Sequence, residues 1–303
     1  MTHGITFHYF WNENIPNTQG AIDGNQFRQI IDACSKNNNI LCAEEYYNKA
    51  VSRQLKENDI CLTFDDGLSS QYLVAEPILK EKGLTAFFFV YTSPMEGVLE
   101  KIEVYRAFRN SYSDIEEFYR DFFSVLFEFG DSIGIEYFKL LNTKEAKEYY
   151  KNYKYYSDND RLFRYARNVL LQEKYDLVMM EMMRSRRFNV SDACRELWIS
   201  SDQIKVMRGR GHVIGLHSHT HPTTLSEFSY AKKTYEYSTN KMFLEEIIGE
   251  VKTASYPCDS YDEDSRSVLV ELGIEVAFLA RMKELDDDDI MRIARMDASF
   301  YLR

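Results

Sequence analysis

The sequence predicts an α/β protein: parallel strands covered by helices and interrupted by a mainly helical insertion. Strand-like and helix-like segments alternate at both ends of the 303-residue chain, a pattern typical of parallel strands with covering helices. Two groups of potential metal ligands each follow a strand-like segment, where barrel enzymes build their sites. Between these groups, residues 97–202 follow a helical pattern, and a segment of that length is too long for a structureless loop.

The elements of the first part of the chain are predicted from the spacing of apolar residues. Phe27, Ile30 and Cys34, for example, recur at helical intervals. Gly83 is expected to end the helix before the next strand, and Pro77 is a candidate for the start of that helix. The predicted elements are a strand over 5–10, helices over 25–36 and 44–55, a strand over 60–64, a helix within 71–82 and a strand over 85–91.

The same alternation resumes after the insertion. The predicted elements there are a strand over 213–216, a helix that includes 241–250, a strand over 253–256, a helix over 264–272 and a strand over 275–279. We therefore predict one α/β domain formed by residues 1–96 and 203–303. The helical insertion, residues 97–202, is rich in Tyr, Phe and Met, which makes it a candidate cap over the site or a homo-oligomer surface. The plainer interpretation is that these side chains pack it onto the barrel.

Composition limits the class of protein. A hydrophobic content of 45% in 303 residues is enough to bury a large core. The formal net charge of −11 argues against a broad nucleic-acid interface, because such interfaces are basic. A local basic pocket for an anionic sugar nucleotide is compatible with this charge.

The N-terminus and the cysteines indicate a cellular location. Met1-Thr2-His3-Gly4 leads into a strand-like segment without the charged and apolar regions of a signal peptide, and no apolar run is long enough to span a membrane. The five cysteines are odd in number and lack the paired spacing of a disulfide framework. We expect a reduced, cytoplasmic protein, although a chain trimmed of a signal peptide would look the same.

An acidic pair follows the strand-like segment 60–64. Asp65 and Asp66 should point to opposite sides, because neighbouring side chains alternate along an extended chain. One carboxylate can then bind a cation while the other faces a reacting water. Gly67 allows the chain to turn sharply after the pair. An Asp-Asp-Gly sequence standing alone is more often a solvated loop.

Two imidazoles lie four residues apart later in the chain. The spacing of His217 and His221 places both side chains on one face of a helix or on one side of a tight turn. Three of the six histidines fall within these five residues, which favours a ligand site over a packed core histidine. Two imidazoles and one carboxylate suit zinc and related divalent metals and leave positions open for water and substrate.

These motifs resemble those of a known family. Thr63-Phe64-Asp65-Asp66-Gly67 and His217-Ser218-x-x-His221-Pro222 resemble the first two motifs of the polysaccharide deacetylases, the NodB-homology or carbohydrate esterase family 4 proteins. Tyr256-Pro257, followed by Tyr261, is similar to a variant of the third motif. The resemblance covers roughly residues 1–95 and 205–303.

The resemblance implies a distorted (β/α) barrel, similar to a TIM barrel, and a division of roles. Asp65 would be the general base, and the metal ligands would be Asp66, His217 and His221. The cofactor would be a divalent metal, with zinc favoured, which activates water for attack on the carbonyl of an acetamide or ester.

Two departures from the family pattern change the residues to look for. The arginine that usually precedes the proline of the third motif is replaced by Ser255 and Tyr256. Arg295 is our candidate for steadying the base, with a surface arginine at a strand end as the alternative. The final Leu-x-His motif is absent, so His8 is our candidate for protonating the leaving group, with a packed structural histidine as the alternative. His219, between the two ligands, is expected to hydrogen-bond locally.

The leading hypothesis is a metal-dependent carbohydrate deacetylase, an amidohydrolase acting on linear C–N bonds. Its substrate would be an N-acetylated sugar in a polysaccharide, a glycolipid or an activated-sugar precursor. Removal of a formyl group or of an O-acetyl ester from a sugar would use the same chemistry. The rival from another class is a non-catalytic carbohydrate-binding or scaffold protein, motivated by the missing histidine and the altered third motif. The intact acidic and histidine pairs argue against that rival.

Overall fold

The computed structural model describes residues 3–128, 133–151, 156–282 and 289–302, with the backbone alone described at positions 133, 135 and 173. The chain forms two compact units. The first comprises Met1–Glu100 and Glu196–Arg303, and the second comprises Lys101–Arg195. The assignment of residues 1–96 with 203–303 and of 97–202 to separate domains stays a prediction.

The first unit is built on a parallel sheet that closes into a barrel, so the predicted fold class is confirmed. The strand order is β7-β6-β5-β4-β3-β1-β8, and β2 pairs with β3. A parallel bridge between Phe278 and Ile293 joins β7 to the residues just before β8. The strands are β1 (His3–Phe7), β2 (Asn39–Ile40), β3 (Asp59–Phe64), β4 (Phe87–Val90), β5 (Val213–Leu216), β6 (Thr253–Ser255), β7 (Val276–Phe278) and β8 (Arg295–Asp297).

Helices cover the barrel and form most of the second unit, to which α4 to α10 belong. The α-helices are α1 (Gly24–Cys34), α2 (Ala43–Val51), α3 (Glu76–Glu81), α4 (Lys101–Asn110), α5 (Ile115–Glu128), α6 (Ile133–Leu141), α7 (Lys144–Glu148), α8 (Asp158–Tyr165), α9 (Tyr175–Ser185), α10 (Val190–Cys194), α11 (Ser201–Gly209), α12 (Tyr230–Ile248) and α13 (Glu263–Glu271). Gln71–Ala75 and Ala166–Leu171 are π-helical. Short 3-10 turns lie at Ser93–Glu96, Gln172–Lys174, Leu225–Glu227, Pro257–Asp259 and Ala298–Leu302.

The helix predicted within 71–82 starts before Pro77. The π-helical segment runs directly into α3, and the Glu76 N–H donates to the Gln71 carbonyl. Because the proline lies in the first turn of α3, its missing N–H removes no bond within that α-helix. Pro77 therefore marks the change from π to α geometry and not the first helical residue.

Helix α12 contains most of the segment 241–250 that was predicted as part of a helix, and it ends at Ile248. It starts at Tyr230, after the N-cap Ser229, whose side chain accepts from the Lys232 N–H. The helix buries polar side chains, including Glu236 and Asn240, so its inner face does not read as an apolar stripe. Only its C-terminal part was therefore predicted from the sequence.

Strands β1, β3, β4, β6 and β7 are buried on both faces, as expected for a parallel sheet covered by helices. In β4, Phe88 belongs to the main hydrophobic cluster with Phe64, and their rings stack with centroids 4.5 Å apart. Phe87 and Phe89 point the other way and pack in a second cluster with Phe278. The polar residues of the site therefore follow strands that the core holds rigidly.

The second unit has its own aromatic core. Phe118, Phe122 and Phe163 are each at most 1% exposed, and Phe163 contacts both of the other rings edge-on, with centroids 5.3 and 4.8 Å away. The apolar spacing that predicted helices here thus corresponds to packing within the unit.

Among the described residues, no helix is both long and apolar enough to cross a membrane.

Candidate active site

The predicted site residues lie at the ends of four barrel strands. His8 follows β1, Asp65 and Asp66 follow β3, and His217 follows β5. β1 pairs with β3, and β4 lies between β3 and β5, all of them parallel. The carboxyl ends of these strands therefore lie at one end of the barrel. Arg295 is the first residue of β8 and approaches the same place through its long side chain.

Asp66, His217 and His221 converge on one point. Asp66 Oδ1 lies 3.4 Å from His217 Nε2 and 3.3 Å from His221 Nε2. One ligand atom of each residue lies within 4.8 Å of the other two. The segment from 217 to 221 is a bent loop and not a helix, so the spacing of four places both imidazoles on one side of a turn.

The orientation of His217 is set by a backbone contact. Its Nδ1 lies 3.0 Å from the carbonyl oxygen of Ser255 at the end of β6. A carbonyl oxygen only accepts, so Nδ1 carries a proton, and the lone pair that a deprotonated His217 offers is on Nε2, which faces Asp66. Such an outer contact orients histidines that bind metals.

The charges of these three residues suit a cation. Burial raises the pKa of Asp66, but His221 and His217 outweigh it and hold that pKa well below its ordinary value. Burial lowers the pKa of His221 to about 4, so its imidazole is neutral at pH 7. Burial also lowers the pKa of His217, but the negative charges of Asp65 and Asp66 raise it above the usual value.

This donor set fits a divalent metal. His217 Nε2 and the ionised Asp66 carboxylate face each other at 3.4 Å, which is repulsive unless a proton or a cation lies between them. Two nitrogen donors and one oxygen donor match the protein ligands of catalytic zinc sites, which leave a further position open. The residues present can therefore hold the metal that the sequence predicts.

Asp65 is held by Arg295. The two guanidinium nitrogens Nη1 and Nη2 donate to Oδ1 and Oδ2 at 2.7 and 2.6 Å, the bidentate geometry of a strong charge-assisted pair. Arg295 is fully buried, with 0% exposure, so the alternative of a surface arginine is wrong. Burial raises the pKa of Asp65, but the charge of Arg295 outweighs it and lowers that pKa below its ordinary range.

The structure also places the two other histidines named from the sequence, His8 and His219. His8 Nε2 lies 3.8 Å from Asp65 Oδ2, and the His8 side chain is 33% exposed. His219 points away from the three converging ligands, with Nδ1 3.0 Å from Thr92 Oγ1 and Nε2 3.0 Å from Glu96 Oε2. The predicted acid is thus beside the predicted base, and His219 hydrogen-bonds locally.

Several site residues adopt left-handed backbone conformations. Asp66 has a φ of 75°, Ser218 of 62° and His221 of 53°. Such conformations cost on the order of 1–3 kcal/mol each for residues other than glycine, and they cluster at ligand clamps and active sites. Gly67, with a φ of 60°, lets the chain turn after the acidic pair without this cost.

Residues that the sequence did not single out as part of the site complete the arrangement. Ser255 accepts from Arg295 Nη2 at 2.7 Å and lies 3.4 Å from Asp65 Oδ2. Tyr91 stacks on the His221 ring, with centroids 4.9 Å apart. Glu236 and Asn240 of α12 bind the loop that carries the histidines. One sequence signal was available for Ser255, its position before Tyr256-Pro257. No sequence signal indicated Tyr91, Glu236 or Asn240 as part of the site.

Comparison with known proteins confirms the resemblance. Residues 172–277 match the family described as polysaccharide deacetylase. This segment contains both histidines and Tyr256-Pro257 but not the acidic pair. No curated protein sequence matches the chain.

Solved structures share the fold over the whole chain. IcaB from Ammonifex degensii is 16% identical, with a TM-score of 0.57 over 100% of this chain and 97% of that one. The Streptococcus pyogenes deacetylase PplD in complex with acetate is 14% identical, with a TM-score of 0.56 and coverage of 99% and 96%. A de-N-acetylase from Aggregatibacter actinomycetemcomitans is 13% identical, with a TM-score of 0.55 and coverage of 98% and 95%.

Proposed function

Because residues 172–277 match the polysaccharide deacetylase family, we propose that the chain is a metal-dependent hydrolase that removes an acetyl group from an N-acetylated sugar. The observation that carries the proposal is the pairing of a buried, arginine-held carboxylate with an adjacent set of converging donors. Asp65 and Asp66 are neighbours in the chain, yet Asp65 contacts Arg295 and Asp66 contacts His217 and His221. This separation of roles is what hydrolysis with a metal and a base requires.

The proposed metal ligands are Asp66, His217 and His221, with zinc as the favoured ion. When bound, the metal polarises the acyl oxygen and makes a water molecule more acidic. The rest of the reaction falls to side chains of the chain itself. His221 is neutral at pH 7 and Asp66 is ionised, so neither of these two ligands has to lose a proton before it can bind a cation.

Asp65 is the proposed general base. It accepts a proton from the water whose oxygen forms the new bond to the acyl carbon. The pairing with Arg295 keeps the carboxylate ionised and fixes its direction, and Oδ1 retains a second lone pair for the proton. A low pKa makes Asp65 a weak base on its own, so it depends on a water that the metal has already made acidic.

His8 is the proposed general acid. As the C–N bond breaks, the leaving nitrogen needs a proton, and the partly exposed His8 imidazole stands 3.8 Å from the base. Acetate and the free amino sugar are then the two products. Its place beside Asp65 favours this role over a packed structural histidine.

The first test is acetate release by wild type and by Asp65→Asn. We expect the variant to lose turnover by a factor of at least about 10², while its zinc content, measured by elemental analysis, stays at the wild-type level. Retained turnover would overturn the assigned base. Loss of zinc together with turnover would mean that Asp65 is a ligand.

The substrate class follows from parallel assays. N-acetylated polysaccharide, glycolipid and sugar-nucleotide substrates should be compared with N-formylated and O-acetylated sugars. Acetate release from an N-acetyl sugar supports the proposal, and exclusive formate or ester release would reassign the acyl group. Sugar binding without any acyl release would favour the non-catalytic rival.

The cellular location and the oligomeric state stay predictions. A cytoplasmic location is to be measured by fractionation of cells that express the chain at its native level. Homo-oligomerisation through residues 97–202 is to be measured by light scattering, with the exposed α9 residues Leu177 and Met180 changed to glutamate. An unchanged mass in that variant would exclude this α9 face as the contact.

A further inference from the structure

The loop that carries the predicted metal-binding histidines has backbone donors with no partners in a strand or helix. His217 follows the end of β5, and residues 218–221 are bent, with left-handed φ values at Ser218 and His221. Buried N–H groups in such a loop cost free energy unless another group accepts from them. The N–H groups of His217, His219 and Thr220 each find a side-chain oxygen on α12.

Glu236 supplies most of these acceptors. Its Oε2 accepts from the His219 N–H at 3.0 Å and from the Thr220 N–H at 2.8 Å, and its Oε1 accepts from the Thr220 hydroxyl at 2.7 Å. The side chain is 3% exposed. Burying a carboxylate costs free energy unless it is well hydrogen-bonded. The three loop donors therefore stabilise the buried Glu236 carboxylate, and the carboxylate in turn satisfies the loop donors.

Asn240 lies one turn later on the same face of α12. Its Oδ1 accepts from the His217 N–H at 2.9 Å, and its Nδ2 donates to the Val90 carbonyl at 2.9 Å and to Thr92 Oγ1 at 3.1 Å. Thr92 in turn contacts His219, through its N–H to the His219 carbonyl and through its hydroxyl to Nδ1. Asn240 therefore ties the loop to the end of β4 as well as to the helix.

From this geometry we propose that Glu236 and Asn240 are positioning residues for metal binding. They hold residues 217–221 in the strained shape that brings the two imidazoles together with Asp66. Neither of them is one of the three converging ligands, so each acts through the loop. The inference rests on the proposed function, because it concerns the same metal site.

The test is the zinc dissociation constant of the full chain, measured by competition with a chelator. Glu236→Ala removes all three acceptor contacts and should weaken zinc binding about 10–100-fold, the range typical of outer contacts to metal ligands. Glu236→Gln should restore affinity close to wild type, because one amide oxygen can accept from both N–H groups and the NH2 can donate to the Thr220 hydroxyl.

The matched control is Glu246→Ala. Glu246 is an exposed glutamate on the same helix, and its removal should leave zinc affinity unchanged. The visible spectrum of the cobalt-substituted protein provides a second readout, since it reports ligand geometry directly. We expect it to change in Glu236→Ala and to stay as in wild type in Glu246→Ala. Circular dichroism of the metal-free proteins checks that each variant is folded.

The outcomes separate this inference from the proposed function. A folded Glu236→Ala protein with wild-type zinc affinity and cobalt spectrum would overturn the positioning role while leaving the metal site intact. If Glu236→Gln is as weak as Glu236→Ala, hydrogen bonding is not the cause and the inference fails. A wild-type protein that binds no zinc overturns both proposals.

If Glu236→Ala does not fold, Thr220→Val tests the inference in its place. It removes one of the three contacts to Glu236 and leaves the buried backbone donors paired. The expected result is a smaller loss of zinc affinity than for Glu236→Ala but a larger one than for Glu246→Ala. Wild-type affinity in a folded Thr220→Val protein, with Glu236→Ala unfolded, would overturn the inference.

Discussion

The pair formed by Arg295 and Asp65 couples the stability of the barrel to its chemistry. Both side chains are buried, and the guanidinium also donates to the Leu279 carbonyl and to Thr63 Oγ1. Removing one partner would leave the other charge buried and uncompensated. We therefore expect Arg295→Met to lower the free energy of unfolding by about 3–5 kcal/mol, measured by urea denaturation.

The control for this prediction is the double variant Asp65→Leu with Arg295→Met. It should lose far less stability than the sum of the two single variants, because neither charge of the pair is left without its partner. Additive losses would show that the ion pair is not the source of the effect. In Arg295→Met alone, the pKa of Asp65 should rise, so the acidic limb of the activity profile should move to higher pH.

Protons and metal should compete at His217. The pKa of His217 is raised by Asp65 and Asp66, against the effect of burial, and a metal binds only the deprotonated imidazole. Zinc affinity is therefore expected to be full well above that raised pKa and to fall as the pH drops through it. His221, whose pKa is about 4, should contribute only at lower pH.

The measurement is the zinc dissociation constant from pH 8 down to pH 5 at constant ionic strength. A constant affinity over that range would contradict the competition. The His217→Ala variant serves as the control, since whatever weak affinity remains in it should lose the pH dependence that belongs to this residue.

Strand β5 must pass close to its neighbours to deliver His217. A Cβ added at Gly215 would lie 2.5 Å from Thr253 Oγ1 and 2.7 Å from the Phe89 ring. We expect Gly215→Ala to destabilise the protein by about 1–3 kcal/mol through this overpacking. Thermal unfolding measures the effect.

The matched control is Gly209→Ala at the end of α11. A Cβ there would meet nothing within 4 Å, and alanine is a better helix former than glycine by up to about 1 kcal/mol. This variant should therefore be neutral or slightly stabilised. Equal losses in the two variants would show that space around β5 is not the reason.

Helix α12 illustrates why element boundaries were harder to predict than element types. Its inner face carries Lys233, Glu236 and Asn240, all buried, because that face binds a polar loop rather than an apolar sheet. Apolar periodicity therefore predicts only the C-terminal part of the helix, which follows these buried polar residues. Strand β5, by contrast, contains only apolar residues and was predicted with the observed bounds.

For the whole molecule, zinc should stabilise the folded chain. The proposed ligands are brought together only by the fold, so the metal binds the native state in preference to the unfolded one. At free zinc 100 times its dissociation constant, the gain is about 2.7 kcal/mol, which corresponds to a rise in Tm of several degrees. Differential scanning calorimetry with and without zinc measures it.

The control is the double variant His217→Ala with His221→Ala. It should show no rise in Tm at the same zinc concentration. A rise equal to that of wild type would place the stabilising metal elsewhere in the chain. The metal-free Tm of the variant also reports whether the two imidazoles matter for folding without the ion.

Local sequence was enough to predict the parallel strands, the acidic pair and the histidine pair, because strand periodicity and ligand spacing are set by neighbours along the chain. The barrel and the role of Arg295 were predicted from the family resemblance. The contacts that define the candidate site join residues far apart in sequence. Arg295 meets Asp65 and α12 binds the histidine loop only once the strands are ordered and the barrel closes. Long-range pairing of buried charges has no signal in local spacing, and only packing in three dimensions selects the partners.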